Sequence, residues 1–437
     1  MSQKSIVSFK SFCEQQEYFL LVALLALGLI VRLVLIFSVT EPIDRDAQEY
    51  YKIAQNLLAG KGFSINGSEL TARRAPGYPV FLASLMEIFG TEPRILYLAQ
   101  AIVNILTIFL VFLALKKTEV NLPTRLLITL VFSLSTSFIF VNVLYAEILT
   151  MLIVALLLYI SIHPDFNVRP SIQLLFGGIL TGALIYLRPT FLYFPIFLLF
   201  GAIFLKTIRR NLAIKKFLTI AGIALLTLTP WTIRNYKVFH RFIPLVSAGG
   251  SELWGANLEI ADRFVWNSVS DIQKYEEQRT ANHTLQNRLI HEYRVKYKIT
   301  DPETLNRFLL KQAKQIILQH PFRYALLCFN RLLIFWFSPP IGSMTLKTIS
   351  PVLFWSILIL KYMLTILGII GLYRFTRNNF PSASLVIMLV IYSTLLHTTI
   401  HAIQRYFLPL IPVVYFGLGY FLDTQEQVNK KQPTSSG

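Results

Sequence analysis

The sequence predicts an all-α polytopic membrane protein of about ten transmembrane helices, within a range of nine to thirteen, and three observations predict it. First, 54% of the 437 residues are hydrophobic and the mean hydropathy is +0.55. Second, the apolar residues gather in repeated runs, each near the roughly 20 residues that cross a bilayer core as a helix. Third, basic residues concentrate in alternate loops, as they do in chains that span a membrane repeatedly. A water-soluble domain does not carry such a load. The formal charge of +18 is therefore read as topology, and a nucleic-acid partner is excluded. Two cysteines, Cys13 and Cys328, are too few and too far apart to indicate a disulfide framework or a compartment.

The first run, Tyr18 to Val39, is longer than a signal-peptide core and lacks a small-residue cleavage site, so it reads as a retained first span. The stretch "RDAQEYYKIAQNLLAGKGF" (45–63) reads differently. Tyr50, Ile53, Ala54, Leu57 and Leu58 fall on one face of a short amphipathic helix, Asp46 with Glu49 resembles a capping box, and Gly60 supplies a stop. Further spans are expected at 94–115, 124–142, 145–163, 171–187, 190–206, 216–235, 350–373, 382–400 and 405–422. Two other apolar stretches are placed on the outer surface. One, 75–90, is short and contains Glu87; the other, 323–339, contains Asn330 and Arg331 and ends in an aromatic cluster.

The loop "KTIRRNLAIKK" (206–216) fixes the count, because its five basic residues and no acids belong in the cytoplasm. With both surface stretches left outside, "KKTEVNLPTR", "YRFTRNN" and the C-terminal "NKK" fall inside too, as do both termini. The polar segments then collect on the far face, in a first loop (41–93) and a second (236–322). In the second, Pro302 follows Asp301 or Thr300 as a helix cap and Pro321 ends the helix. The expected plan is an N-terminal transmembrane module (1–235) with juxtamembrane helices in its first external loop, and a small external helical lobe (236–322). A C-terminal transmembrane module (323–423) and a disordered tail (424–437) follow.

Several ionisable residues converge on the outer boundary: Asp44, Asp46 and Glu49; Arg73 and Arg74; Glu147; Arg188; Arg234; and His401, Arg405 and Tyr406. Each has an ordinary reading. Asp46 serves as a helix cap, Glu147 ends a span, and a lone Arg at a span end reaches for headgroups. Those readings leave unexplained why Arg188, Arg234 and Arg405 accumulate opposite the positive-inside face. Arginine forks bind phosphate bidentately at any pH, and a nearby carboxylate suits proton transfer from a hydroxyl. The combination fits a lipid-linked phosphate donor. There is no Gly-rich phosphate loop and no zinc-spaced His/Cys cluster. His397 and His401, four apart on one helical face, are read as hydrogen-bonding groups rather than metal ligands. No cofactor is required; a divalent metal bridging Asp46 and phosphate is compatible, though no ligand cluster demands it.

The motifs "DAQEYYKIAQNLLAGKGFS", "RAPGYPVFLA", "YAEIL", "LRPTF", "PWTIRNY" with "GGSELWGANL", and "RYFLPLIP" together resemble the bacterial membrane glycosyltransferases of the C-type fold. That family includes the lipid A aminoarabinose transferase and relatives of the dolichyl-phosphate-mannose protein mannosyltransferases. The resemblance implies an essential first-loop acid, matched by Asp46 ahead of Asp44, and a second acid at Glu147. It also implies a donor-phosphate site at Arg74, Arg405 and Tyr406, to which Arg188, Arg234 and His401 are assigned as further phosphate-binding residues. The implied activity is transfer of a sugar from a polyprenyl phosphate to a lipid, glycan or protein hydroxyl, with inversion. The implied setting is the periplasmic or outer face of a bacterial inner membrane, in cell-envelope or lipopolysaccharide chemistry. Two departures from the protein mannosyltransferases weaken protein as acceptor: Ala47 follows the first-loop acid, and no large sugar-binding insertion is present. The competing class is a lipid or glycolipid transporter or flippase. It predicts a repeat between halves, which is not found, and midplane charges, for which Lys361 is the one candidate.

Overall fold

The computed structural model describes residues 3–39, 43, 45–162, 170–204, 210–258, 260, 272–339 and 347–431. Asp44, residues 206–209 of the basic loop and the end of the expected tail lie outside them. In chain order the helices are α1 (Gln3–Ser38), α2 (Arg45–Leu58), α3 (Gly77–Phe89), α4 (Pro93–Lys117), α5 (Leu122–Ser133) and α6 (Glu147–Ile162). They continue as α7 (Pro170–Leu187), α8 (Phe194–Phe204), α9 (Arg210–Phe239), α10 (Gly249–Asn257), α11 (Ile272–Lys296) and α12 (Pro302–Gln319). The last four are α13 (Pro321–Phe337), α14 (Pro351–Asn378), α15 (Phe380–Thr399) and α16 (Ile411–Lys431).

The protein is a polytopic helical membrane protein. Each of the ten expected spans coincides with helix. Among the described residues five segments are long and apolar enough to cross a bilayer, in α1, α4, α9, α14 and at Gln404–Gln425. The other apolar helices are shorter, and near one end of the bundle the chain unwinds. The expected continuous span 124–142 is instead helix to Ser133 followed by a 3-10 turn, Thr136–Asn142. Similar turns cover Pro189–Tyr193 after α7 and Gln404–Leu410 after α15. Non-helical backbone is tolerated near membrane depth only where protein or a cavity surrounds it. Here the Gln404–Leu410 turn carries Arg405, and Arg188 directly precedes the Pro189–Tyr193 turn. The stretch 75–90 forms the 13-residue α3, only about 20 Å long and too short for a core of about 30 Å. At the other end of the chain, α16 continues to Lys431, past the boundary drawn for the tail at 424.

Polar clusters mark the two ends of the bundle. At one, Arg125 donates to Glu17 at 2.7 Å, Lys116 pairs with the same carboxylate at 2.9 Å, and Asn121 donates to Asp423. Lys116 stands near the far end of α4, roughly 35 Å along the helix from Pro93, and the opposite end holds the acid–arginine cluster described below. Between them Arg32 is fully buried in α1. It is held by neutral acceptors: Asn104 Oδ1 at 2.8 Å, the Gly28 carbonyl at 2.7 Å and the Ser133 carbonyl at 3.0 Å. Those bonds tie α1 to α4 and α5 and keep a charge off the lipid. Lys361 has a similarly local explanation, since its ammonium donates to the Ser338 carbonyl and fastens α14 to the end of α13.

The loop between α1 and α4 is folded tightly. Ile53 and Ala54 are fully buried on α2, which packs on α3. Gly60, at φ +70, closes α2: its N–H reaches the Leu57 carbonyl while the Lys61 N–H reaches Asn56, the bond pair of a Schellman cap. The lobe has a core of its own in Trp254, Ile299, Leu305, Leu309 and Ala313. Asp301 caps α12 as expected, accepting from the Thr304 N–H at 2.9 Å. Gly77 opens α3 against the end of α7, where a Cβ would lie 2.7 Å from the Tyr186 carbonyl oxygen. Backbone cannot swing aside as a side chain can. We therefore expect Gly77→Ala to cost about 1–3 kcal/mol and lower the melting temperature in detergent. Gly222→Ala, which meets nothing within 4 Å, should leave it unchanged or raise it. Equal melting temperatures for the two variants would contradict this packing.

Candidate active site

Asp46 lies in the first turn of α2, inside the helix rather than at its cap. Its side chain points away from the helix end to two arginines. Arg74 Nη2 donates to Asp46 Oδ1 at 2.6 Å, and Arg405 Nη2 donates to Asp46 Oδ2. Glu49, one turn further along α2, accepts from Arg74 Nε at 2.5 Å and pairs with Arg73 at 3.5 Å. The capping-box pattern thus has a different use: i,i+3 spacing puts both carboxylates on the face that meets the arginine loop. Beneath them, Tyr50 lies under Arg74, with the guanidinium 5.3 Å from the ring centre. Tyr78 packs edge-on to Tyr50 and donates to Gln100, which grips the Val141 and Val143 carbonyls. The two external-loop helices are so tied to the unwound segment that leads to Glu147.

Glu147 begins α6 and is buried. Its Oε1 lies 3.4 Å from Arg405 Nε and 3.4 Å from Arg188 Nη1. Neither nitrogen forms a hydrogen bond at that separation, so that, among the described residues, both are buried with an ion-pair partner and no hydrogen bond. Arg405 stacks over Tyr145, 4.2 Å from the ring centre, and Arg188 stacks over Tyr406 at 4.8 Å. Tyr406 in turn packs against the rings of His397 and His401. His397 Nδ1 lies 3.1 Å from the His401 carbonyl oxygen, a local hydrogen bond that bridges the end of α15 to the turn carrying Arg405.

The structure therefore brings together Asp46, Arg74, Glu147, Arg188, Arg405, Tyr406 and His401 from segments scattered over 360 residues of chain. Arg234 is engaged elsewhere. Its Nη1 donates to the Thr71 carbonyl at 2.9 Å and its guanidinium lies among the rings of Phe63, Trp231 and Phe239. That arrangement anchors the first loop to the end of α9. Sequence reasoning gave no role to Tyr145 or Glu252, and gave Glu49 only a place in a capping box and among the boundary charges. The Asp46–Glu49 spacing and the acid inside "GGSELWGANL" were the available signals; the Tyr145–Arg405 stack had none.

Charge in the cluster is nearly balanced, with Arg74, Arg188 and Arg405 facing Asp46, Glu49 and Glu147. Dehydration raises the pKa of Asp46, but the Arg405 and Arg74 charges and their hydrogen bonds outweigh it and hold the carboxyl well below the usual carboxylate range. Such a group is ionised at any physiological pH and is a weak base, a poor fit to the proton acceptor that the sequence suggested. A depressed native pKa contributes stability that is complete above the unfolded value of about 4 and is lost as pH falls through the native value. Asp46→Asn should lower the melting temperature by equal amounts at pH 8 and pH 6, the gap closing only in strong acid. A gap that opens or closes between pH 6 and 8 would contradict the double ion pair.

No family model and no curated protein matches the sequence. Solved structures are similar in outline. One is the archaeal oligosaccharyltransferase AglB from Archaeoglobus fulgidus, in complex with an inhibitory peptide and a dolichol-phosphate. It is 12% identical with a TM-score of 0.49, over 95% of this chain and 52% of that one. The chain thus spans about half the length of that relative. ArnT from Cupriavidus metallidurans bound to undecaprenyl phosphate is 14% identical with a TM-score of 0.40, over 96% of this chain and 81% of that one. The apo form of ArnT is 13% identical with a TM-score of 0.41, over 89% and 78%. Likenesses this distant assign no residue a role.

Proposed function

We propose that the chain is an inverting glycosyltransferase. It moves a sugar from a polyprenyl-phosphate donor to a hydroxyl of a lipid, glycan or protein acceptor on the outer, periplasmic face of a bacterial inner membrane. One observation carries the reading. Two buried guanidinium N–H groups, Arg405 Nε and Arg188 Nη1, lack hydrogen-bond partners at the rim of an apolar helix bundle. Buried donors are normally satisfied, and an orphan pair beside carboxylates calls for an anionic ligand. Flanking apolar helices suit an isoprenoid tail, and the motif resemblance points to the same chemistry.

In this reading the donor phosphate takes the free faces of Arg188 and Arg405, with Arg74 within the same network and Tyr406 and His401 backing the fork. Arg234 supports the site by anchoring the loop that carries Arg74. Asp46 and Glu147 act on the reaction through the arginines, holding both forks in register. The acceptor oxygen forms a bond to the anomeric carbon while the bond from that carbon to the phosphate oxygen breaks. The electron pair leaves with the phosphate, whose growing charge the guanidinium groups stabilise. Loss of one such donor typically costs about 3–4 kcal/mol, a hundredfold or more in rate.

The purified protein, offered a panel of labelled polyprenyl-phosphate hexoses and pentoses with envelope extract as acceptor, should release free polyprenyl phosphate. A flippase would leave the donor intact. Arg405→Ala should lose both donor affinity and turnover, and Asp46→Asn should be folded and inactive. Donor consumption by both variants at the wild-type rate would rule out this assignment of the site.

A further inference from the structure

Glu252 makes no ion pair or hydrogen bond in the network above among the described residues, although its helix is tied to the segments that carry that network. It lies in the first turn of α10, and α10 is fastened at both ends to the segments that carry the arginines. Just before the helix, the Ser247 N–H donates to the Ala72 carbonyl at 3.0 Å, two residues from Arg74. At its other end Arg331 Nη2 donates to the Ala256 carbonyl at 2.6 Å, and Arg331 Nη1 donates to the Thr399 carbonyl at 3.1 Å, shortly before Arg405. A third tie fixes the helix start, where the Gly250 and Ser251 N–H groups share Asn306 Oδ1 of α12 at 2.7 and 3.1 Å. The lobe is thus braced across the cluster, and its one acid in this helix is held in place by backbone contacts.

The Glu252 side chain is exposed and, among the described residues, its carboxylate makes no ion pair or hydrogen bond. Every other carboxylate of the cluster is paired with arginine. We propose that Glu252 is the general base that takes the acceptor's proton, a reading that rests on the glycosyltransferase assignment. As the acceptor oxygen bonds to the anomeric carbon, its proton passes to the Glu252 carboxylate. The carbon–oxygen bond to phosphate breaks, and its electron pair leaves on the polyprenyl phosphate.

The surroundings fit this division of labour. The charged groups that act on Glu252 are Asp46, Arg73 and Arg74 of the first loop and Arg405 of the last turn, and Tyr406 lies within reach of its charge. On α12, packed against α10, Glu303 and Arg307 pair with each other at 3.9 Å, and Asn306 meets the helix start. Crowding by surrounding protein, which thins the water near the carboxylate although the residue keeps an exposed surface, followed by repulsion from Asp46, raises the Glu252 pKa despite the arginines. Two carboxylates whose environments push their pKa values apart divide naturally into a fixed charge and a proton acceptor.

The test compares wild type, Glu252→Gln and Glu252→Asp in undecaprenyl phosphate binding, and in transfer from whichever labelled donor the wild type consumes. Glu252→Gln should bind undecaprenyl phosphate within about twofold of wild type, which also reports that it is folded. Its kcat should fall by about 10²–10⁴-fold, and Glu252→Asp should recover part of the loss. The wild-type rate should decline as pH drops through the raised Glu252 pKa, and this acid limb should be missing from the residual rate of Glu252→Gln. Wild-type kcat in Glu252→Gln, or an unchanged acid limb, overturns the assignment of the base alone. Failure of the wild type to bind undecaprenyl phosphate removes the parent reading and this one together.

Discussion

The site depends on one carboxylate held between two arginines. Asp46 accepts from Arg74 on one oxygen and from Arg405 on the other, and these partners are 28 and 359 residues away in sequence. Charge-assisted hydrogen bonds of this kind are directional and strong when partly shielded from water. They fix the surface helix α2, the loop before α3 and the turn before α16 relative to one another. Glu147 extends the same logic inward, because it faces both Arg405 and Arg188. Without these carboxylates three guanidinium groups would repel one another in a region of low dielectric. With them the cluster is close to neutral and still has two N–H groups to spare.

Near-neutrality has a chemical consequence. In the proposed reading, a phosphate entering such a site meets guanidinium groups that Asp46 and Glu147 already hold in place, and takes the two N–H groups that carry no hydrogen bond. The arginines are therefore oriented before the donor arrives, and little reorganisation is left for the moment of bond breaking. The same ion pairs make Asp46 a poor proton acceptor. Proton transfer falls to a group that the arginines do not claim, and the bracing of α10 across the cluster provides one in Glu252. Positioning and acid–base work are divided between the first external loop and the lobe.

Much of the fold was legible because bilayer thickness and charge bias constrain it strongly. Apolar run length placed helix at all ten expected spans, and the shortness of 75–90 and the polar residues of 323–339 marked them as different. The break at Ser133 was passed over, although the Ser- and Thr-rich run at 133–137 was a signal that helix could end there. The clustered acids and arginines were anticipated from their position opposite the basic loops. Their pairing was not, since nothing local tells Asp46 that Arg405 is near. Arg32 and Lys361 show the limit from the other side: the first is fully buried, the second partly, and both are held by neutral acceptors, which charge patterning does not reveal. Arg234 illustrates a third case, where the right boundary position served to anchor a loop.

The most direct test of the account is a structure of the protein with undecaprenyl phosphate bound. The account predicts phosphate oxygens within hydrogen-bond distance of Arg405 Nε and Arg188 Nη1, with the isoprenoid tail running between helices from that rim. A phosphate bound at the opposite end, among Lys116 and Arg125, or one that leaves both nitrogens untouched, would contradict it.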